Sequence, residues 1–253
     1  MNTHFLDEHL RSLRLPAMLA EYKRLAQGKD DRLNYLGELA ALEVGKRHEN
    51  GVRRRITAAK FPVIKTVEAF DFSLQPNLPK RRFIELLDST FIGERQNVIF
   101  IGPTGVGKTH LLSTIGIAAC SNGHRVLFTT AAELLMSLIA AKREDRLKPR
   151  LASLDRYDFI MIDELGYVPF EREATNLLFQ AISNRYERGS LGITTNLAFP
   201  DWTQVFPDVT AASAVVDRLV HHAIIFELIG ESYRLRSRKG LAVEKDGLPK
   251  RPK

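Results

Sequence analysis

Cysteine is almost missing from this chain: Cys120 stands alone among 253 residues. A single thiol rules out an intramolecular disulfide and any cysteine-cluster metal centre. There is no apolar run approaching the ~20 residues that a membrane-spanning helix needs. Asp7 and Glu8 stand where a secretory leader would carry basic residues. These absences point to a soluble, cytoplasmic protein with no membrane partner. General disorder is excluded as well, because 44% of the residues are hydrophobic, ample for a core.

Charge is present but uneven. Residues 1–96 carry 17 Lys/Arg against 13 Asp/Glu, residues 97–229 carry 12 against 14, and residues 230–253 carry 8 against 3. The two ends are basic and the middle is not. A basic surface suits a polyanionic partner, nucleic acid above all, although a generically solvated surface accounts for a modest excess equally well.

The middle contains the stretch on which the rest is organised. Ile99-Phe100-Ile101 is apolar and β-prone, and it runs into Gly102-Pro103-Thr104-Gly105-Val106-Gly107-Lys108-Thr109 and then His110. The pattern is Gly-x-x-x-x-Gly-Lys-Thr between a strand and a helix, the second marked by an apolar stripe at Leu111, Leu112, Ile115 and Ala118–Ala119. Glycines let backbone N–H groups converge on phosphate oxygens, and the following helix points its positive end at the same place. Lys108 is expected to reach the β- and γ-phosphates of a nucleoside triphosphate, and the Thr109 hydroxyl to hold Mg²⁺. Cys120, on the same helix, reads as a packing residue.

Downstream the alternation is regular. Strands are expected at Asn97–Ile101, Arg125–Thr129, Asp158–Glu164, Leu191–Thr195 and Ala223–Leu228, with helices at Ala131–Ala141, Arg172–Glu187 and Ala211–Val220 between them. That spacing predicts an α/β fold with a five-stranded parallel sheet flanked by helices. Phe159 to Ile162 deliver Asp163 and Glu164 at a strand's C-terminal end, the edge where such sheets bind ligands. Asp163 suits Mg²⁺, and Glu164 suits the polarisation of an attacking water as general base. Asn196, after the next strand, is a candidate for sensing γ-phosphate, the alternative being a turn or helix-cap residue. Arg218 fits a surface salt bridge with Asp217 or Glu227, or an arginine finger entering a neighbour's site. His221–His222 have no metal-ligand spacing to another cluster and read as structural or surface residues.

Upstream, Leu10, Leu13, Leu15, Met18, Leu19, Tyr22 and Leu25 share one helical side, with Pro16 suiting a helix start or break. A second helix is expected over Leu33–Val44. A third would present Arg53, Arg54 and Arg55 within a basic run that includes Lys46, Arg47 and Lys60. These six residues are candidates for contact with the DNA backbone, without a base-reading code, the alternative being a solubilising helix face. The boundaries expected are a small all-helical domain at 1–66, a linker at 67–79 in which Phe70 and Phe72 dock on a neighbour, a nucleotide core at 80–230 and a basic tail at 231–253. Phe91–Ile92 are candidates to flank adenine.

Taken together, the phosphate loop, Ile162-Asp163-Glu164, Thr194-Thr195-Asn196, Asp217-Arg218-Leu219 and Gly230-Glu231-Ser232-Tyr233-Arg234 occur in an order that resembles the IstB-type transposition helper ATPases. These are AAA+ P-loop NTPases related to DnaC helicase loaders and DnaA initiators. Leu13-Arg14-Leu15-Pro16-Ala17-Met18 and the Arg53–Lys60 stretch extend the likeness to nearly the whole chain. The resemblance implies an ATPase that binds duplex DNA without marked sequence preference, oligomerises with ATP at subunit interfaces, and helps a partner transposase use target DNA. It implies Arg218 as the finger and Asn196 as the sensor. The residues after the last strand are too few for the usual C-terminal helical lid, which leaves Arg234 and Arg236 without an assigned role. A DnaC-like loader acting on a replicative helicase is the alternative.

Overall fold

Pro16 cuts the first apolar stripe into two helices, α1 (Thr3–Ser12) and α2 (Pro16–Leu25), because its ring fits the first turn of a helix and no later position. No such break stands further on. The second and third helices expected from the sequence run together as one 28-residue helix, α3 (Arg32–Ala59). Glycines such as Gly45 weaken a helix by about 1 kcal/mol each without ending it. The structure is a computed structural model that describes residues 3–27, 32–167, 171–204, 206, 209–230 and 232–233. Contacts divide the chain into two units, Met1–Arg54 and Arg55–Lys253, so the division falls inside α3.

The first unit has a small core in which Leu10, Tyr22 and Leu39 are buried against Leu15, Met18, Leu19, Leu25 and Tyr35. Its polar centre is Glu43, only 4% exposed. Leu15 offers α2 no side-chain cap. Instead the Glu43 carboxylate, reaching from α3, accepts from Ala17 N at 3.0 Å and Met18 N at 3.3 Å, two of the orphan donors of the first turn. Arg47 Nε donates to its other oxygen at 3.0 Å. Burial pushes the Glu43 carboxyl up, but Arg47 and the two N–H groups outweigh it, and the group sits below its ordinary value of 4.5.

In the second unit, α4 (Lys80–Glu85) and α5 (Thr90–Gly93) lead into β1 (Asn97–Ile101). Then follow α6 (Lys108–Ser121), β2 (Val126–Thr130), α7 (Ala131–Arg143), α8 (Leu147–Leu154), β3 (Phe159–Leu165), α9 (Arg172–Arg185), β4 (Ser190–Thr195), α10 (Val209–Val220) and β5 (Ala223–Glu227). The five strands are parallel, as the alternation predicted, and the structure sets them in the order β2-β3-β4-β1-β5. Helix α8 is the addition, in a stretch whose basic residues obscured it. Strand residues alternate between two cores. Val98, Phe100, Phe128, Phe159, Met161 and Phe226 pack with Leu111, Leu112 and Ile115 of α6. Ile99, Leu127, Ile160, Ile162 and Ile193 pack on the other face with residues of α7 to α10. Cys120 is fully buried, and burial pushes its thiol up to about 11, so it is inert packing. Among the described residues no helical lid follows β5, and no helix is long and apolar enough to cross a membrane. Arg234 and Arg236 lie outside the described residues, as does most of the basic tail.

Glu43 gives a pH-dependent prediction. Its folded pKa is depressed, so its stabilising contribution is present above the ordinary value of 4.5 and is lost as pH falls through the lower folded value. Glu43→Gln should lower the denaturation midpoint of the first unit at pH 7, followed by helical circular dichroism. The gap to wild type should narrow as pH falls below 4.5 and close once Glu43 takes up its proton.

Candidate nucleotide site

The site begins where β1 ends. The chain turns at Gly102-Pro103-Thr104-Gly105-Val106-Gly107, and α6 starts at Lys108 with no side-chain cap on its first N–H groups. All three glycines are required by contact as well as by conformation: a Cβ on Gly102, at φ 152°, would lie 2.1 Å from Leu228 O. Gly107 has φ 102°, and a Cβ there would lie 2.6 Å from the Phe70 ring. Gly105 has φ 85°, and a Cβ there would lie 2.1 Å from Ser232 Oγ. The loop is thus gripped from two sides, by the segment before α4 and by the chain after β5. Tyr233 N donates to Gly105 O at 2.9 Å, and Gln75, 4% exposed, donates to Val106 O at 3.4 Å and accepts from Ile229 N at 3.2 Å.

Lys108 is 8% exposed, and its ammonium donates to Gly102 O at 2.6 Å and Pro103 O at 2.7 Å. Burial lowers its pKa, while Asp163 and Glu164 pull the other way. A cation held in this way inside a loop of converging N–H groups is suited to phosphate oxygens. Thr109 Oγ1 donates to the Asp163 carboxylate, 3.0 Å from each oxygen. Asp163 is 5% exposed, and the buried Thr194 hydroxyl donates to its Oδ1. Hydroxyl and carboxylate oxygens converging at one point are hard donors, and the set fits Mg²⁺.

Glu164 differs from its neighbour. The β3–β4 register shifts between Ile162 and Leu165, and at this bulge Glu164 has φ 61°, with its N–H donating to Thr194 Oγ1 at 3.0 Å. The bulge buries Asp163 and leaves the Glu164 side chain exposed on the cavity wall. Backbone strain of this kind re-aims a side chain at a strand end.

The loop, Asp163 and Glu164 line one cavity of about 900 Å³, spacious enough for a nucleotide. Its far wall comes from Phe70, Leu74 and Gln75 of the segment expected as a linker, from Pro62 and Val63 just before it, and from Tyr233. His110 joins this wall to α6, with Nε2 2.9 Å from Thr66 O and its ring edge-on to Phe70. Thr104 Oγ1 is hydrogen-bonded to the Tyr167 hydroxyl at the tip of the loop. Phe91 and Ile92 are not adenine flankers. Both are buried in the α6-side core, with Phe91 edge-on to Phe159, because the apolar pair completes the packing under β1.

Of the other sequence candidates, only Lys60 is in the cavity lining. Asn196 is exposed just past β4, two residues beyond Thr194. Arg218, on α10, lies 4.7 Å above the Phe179 ring and donates to Ala214 O at 3.0 Å. Lys46, Arg47, Arg53 and Arg54 share α3 in the first unit. Lys46 and Arg53, like Arg47 and Arg54, are seven residues apart and so recur on one face about 10 Å apart. Lys46 pairs with Glu49, and Arg47 pairs with Glu43 and donates to Arg14 O. Arg55 belongs to the second unit, where its Nε donates to Cys120 O at 2.7 Å at the end of α6. Lys60 is exposed and forms part of the cavity lining. Sequence reasoning missed Thr194 as a ligand-orienting group, Gln75 as a bridge and Tyr167 as a loop contact. The Phe70-Asp71-Phe72 aromatics in a polar stretch were the one signal for the far wall.

A parallel 2-3-4-1-5 sheet with a phosphate loop after β1 and an acidic pair after β3 is the fold of an AAA+ P-loop NTPase. The AMPPCP-bound DnaA from Aquifex aeolicus superposes with a TM-score of 0.56 over 76% of this chain and 58% of that chain, at 16% identity. The DnaC helicase loader does so at 0.51 over 73% of this chain and 99% of that chain, at 20% identity. Both likenesses concern the fold alone. The chain belongs to the family of IstB-like ATP binding proteins, whose model matches residues 8–240. An ATP-binding protein of insertion sequence IS21 from Pseudomonas aeruginosa is 39% identical over 222 residues, covering 87% of this chain and 84% of that protein.

Gly107→Ala tests the grip of Phe70 on the loop. The added methyl meets the ring and strains a positive φ, so affinity for a fluorescent ATP analogue should fall at least tenfold while the far-ultraviolet circular dichroism stays that of wild type. Unchanged affinity would show that the ring does not set the loop's shape.

Proposed function

We propose that this protein is a cytoplasmic ATPase that binds duplex DNA with little sequence preference, oligomerises on it, and helps a partner transposase select target DNA. The observation that carries the hydrolytic part is the division of labour at the β3 bulge. Asp163 is buried against Thr109, whereas Glu164 is turned out onto the cavity wall. One carboxylate is placed to hold and the other to act.

Lys108 and the loop N–H groups bind the β- and γ-phosphates of ATP. Thr109 and Asp163 would hold Mg²⁺, which supplies neutralisation of phosphate charge. Glu164 orients a water and accepts its proton as the water oxygen bonds to the γ-phosphorus and the bond to the ADP oxygen breaks. Asn196, at the open mouth of β4, is assigned to the γ-phosphate. Arg218 is outside the cavity lining of its own chain, which supports a role in a neighbouring subunit's site and hence ATP at a subunit interface. The Lys46, Arg47, Arg53 and Arg54 face of α3 supplies contacts to phosphates of the duplex, with Lys60 as a further contact. Arg55, tied to Cys120 O, contributes through position more than through reach. Transposition as the setting is supported by the insertion-sequence origin of the relative from P. aeruginosa.

Glu164→Gln tests the reading. It should keep ATP affinity, cut hydrolysis by about a hundredfold or more, and prolong complexes on a long duplex of arbitrary sequence. Dissociation as fast as wild type under saturating ATP would sink the coupling between hydrolysis and DNA release.

A further inference from the structure

His221 and His222 have no partner cluster in the sequence, and the fold gives them one. Glu187, in the turn after α9, comes within reach of both, and one ligand atom from each of the three residues lies within 4.8 Å of the others. The two imidazoles meet with centroids 4.1 Å apart. All three side chains are exposed, so an ion from solvent has access.

The backbone that carries them is fixed. Glu187 holds φ 57°, and the turn closes with Arg188 N and Gly189 N donating to Arg185 O at 3.0 and 3.1 Å. His221 N donates to Asp217 O at 3.0 Å, and His222 O accepts from Asn97 N at 2.7 Å. One imidazole also has the support expected of a metal ligand. The Tyr186 hydroxyl lies 2.9 Å from His221 Nδ1. In the tautomer in which Nδ1–H donates to the tyrosine oxygen, Nε2 of His221 carries a free lone pair.

We propose that Glu187, His221 and His222 form a site for a divalent transition-metal ion of the Zn²⁺, Ni²⁺ or Cu²⁺ class. Two imidazoles and one carboxylate select this class over Mg²⁺ and Ca²⁺, which take oxygen donors. The surroundings sharpen the choice. Arg95 and Arg218 line the adjoining hollow, so an ion held by charge alone is repelled there and a coordinate bond to nitrogen is needed. The site precedes β4 and β5 and so lies at the N-terminal edge of the sheet, opposite the edge that carries the phosphate loop. It stands independently of the nucleotide reading. A bound ion would brace the turn before β4 to the turn before β5.

Co²⁺ absorption on the full chain without nucleotide is the test, because Co²⁺ held by protein ligands at low coordination number has visible bands far more intense than those of the aqueous ion, and Zn²⁺ competes them away. Wild type should bind one Co²⁺ at this site. His222→Ala and Glu187→Gln should each weaken it at least tenfold with unchanged circular dichroism. Tyr186→Phe should weaken it less. Asp163→Asn, which alters the Mg²⁺ candidates at the opposite edge of the sheet, should leave it intact. Absence of the bands at millimolar Co²⁺, or equal binding by wild type and the His222 and Glu187 variants, overturns the proposal.

Discussion

Asn97 donates from Nδ2 to Leu219 O at 3.0 Å and accepts from Leu191 N at 2.9 Å, while its own N–H reaches His222 O at 2.7 Å. One buried side chain therefore fastens the start of β1 to β4 and to the end of α10. Neither neighbour of β1 in the sheet is its neighbour in sequence, so loop-closure entropy opposes both pairings. The functional edge depends on them. With β1 held between β4 and β5, the register sets Ile101 beside Thr195 and Glu227, and the phosphate loop opens next to the Thr194–Asp163 pair. A slip of one residue would turn Val98 and Phe100 out of the α6-side core and carry the loop away from its acid.

The loop itself is held by unlike materials on its two sides. Phe70 lies against Gly107, and the Ser232-Tyr233 backbone lies against Gly105. Both belong to segments outside the sheet, and Gln75 joins them. A phosphate-binding loop in such contact is well placed to pass the presence of its ligand on to both segments. Lys108 adds an electrostatic reason. Burial disfavours its charge, and anionic oxygens at the loop offset that cost.

Much of this was legible in the sequence because the chemistry is contiguous. Lys108 and Thr109 follow the glycines directly, Asp163 and Glu164 end one apolar run, and the strand–helix period announced the parallel sheet. What stayed hidden is what the fold assembles from distant segments. Phe70 and Tyr233 are far apart in the chain and carry no motif that points to the loop. Thr194 looked like an ordinary strand residue, and only the β3–β4 pairing shows it between Asp163 and the Glu164 N–H. Glu187 is 34 positions before His221 in the numbering, so no local spacing joins them. The fusion of two expected helices into α3 has a simpler cause: the charged run from Lys46 onward hid the period, and no proline interrupts it.

The central claim is that the buried Lys108 ammonium, backed by Thr109 and Asp163, binds the phosphates of ATP. Equilibrium titration of wild type and Lys108→Ala with a fluorescent ATP analogue, with Mg²⁺ and with a chelator, tests it most directly. The account predicts saturable binding by wild type that Mg²⁺ strengthens, and loss of at least two orders of magnitude in affinity in the variant. Equal binding by the two proteins, with or without Mg²⁺, would contradict it.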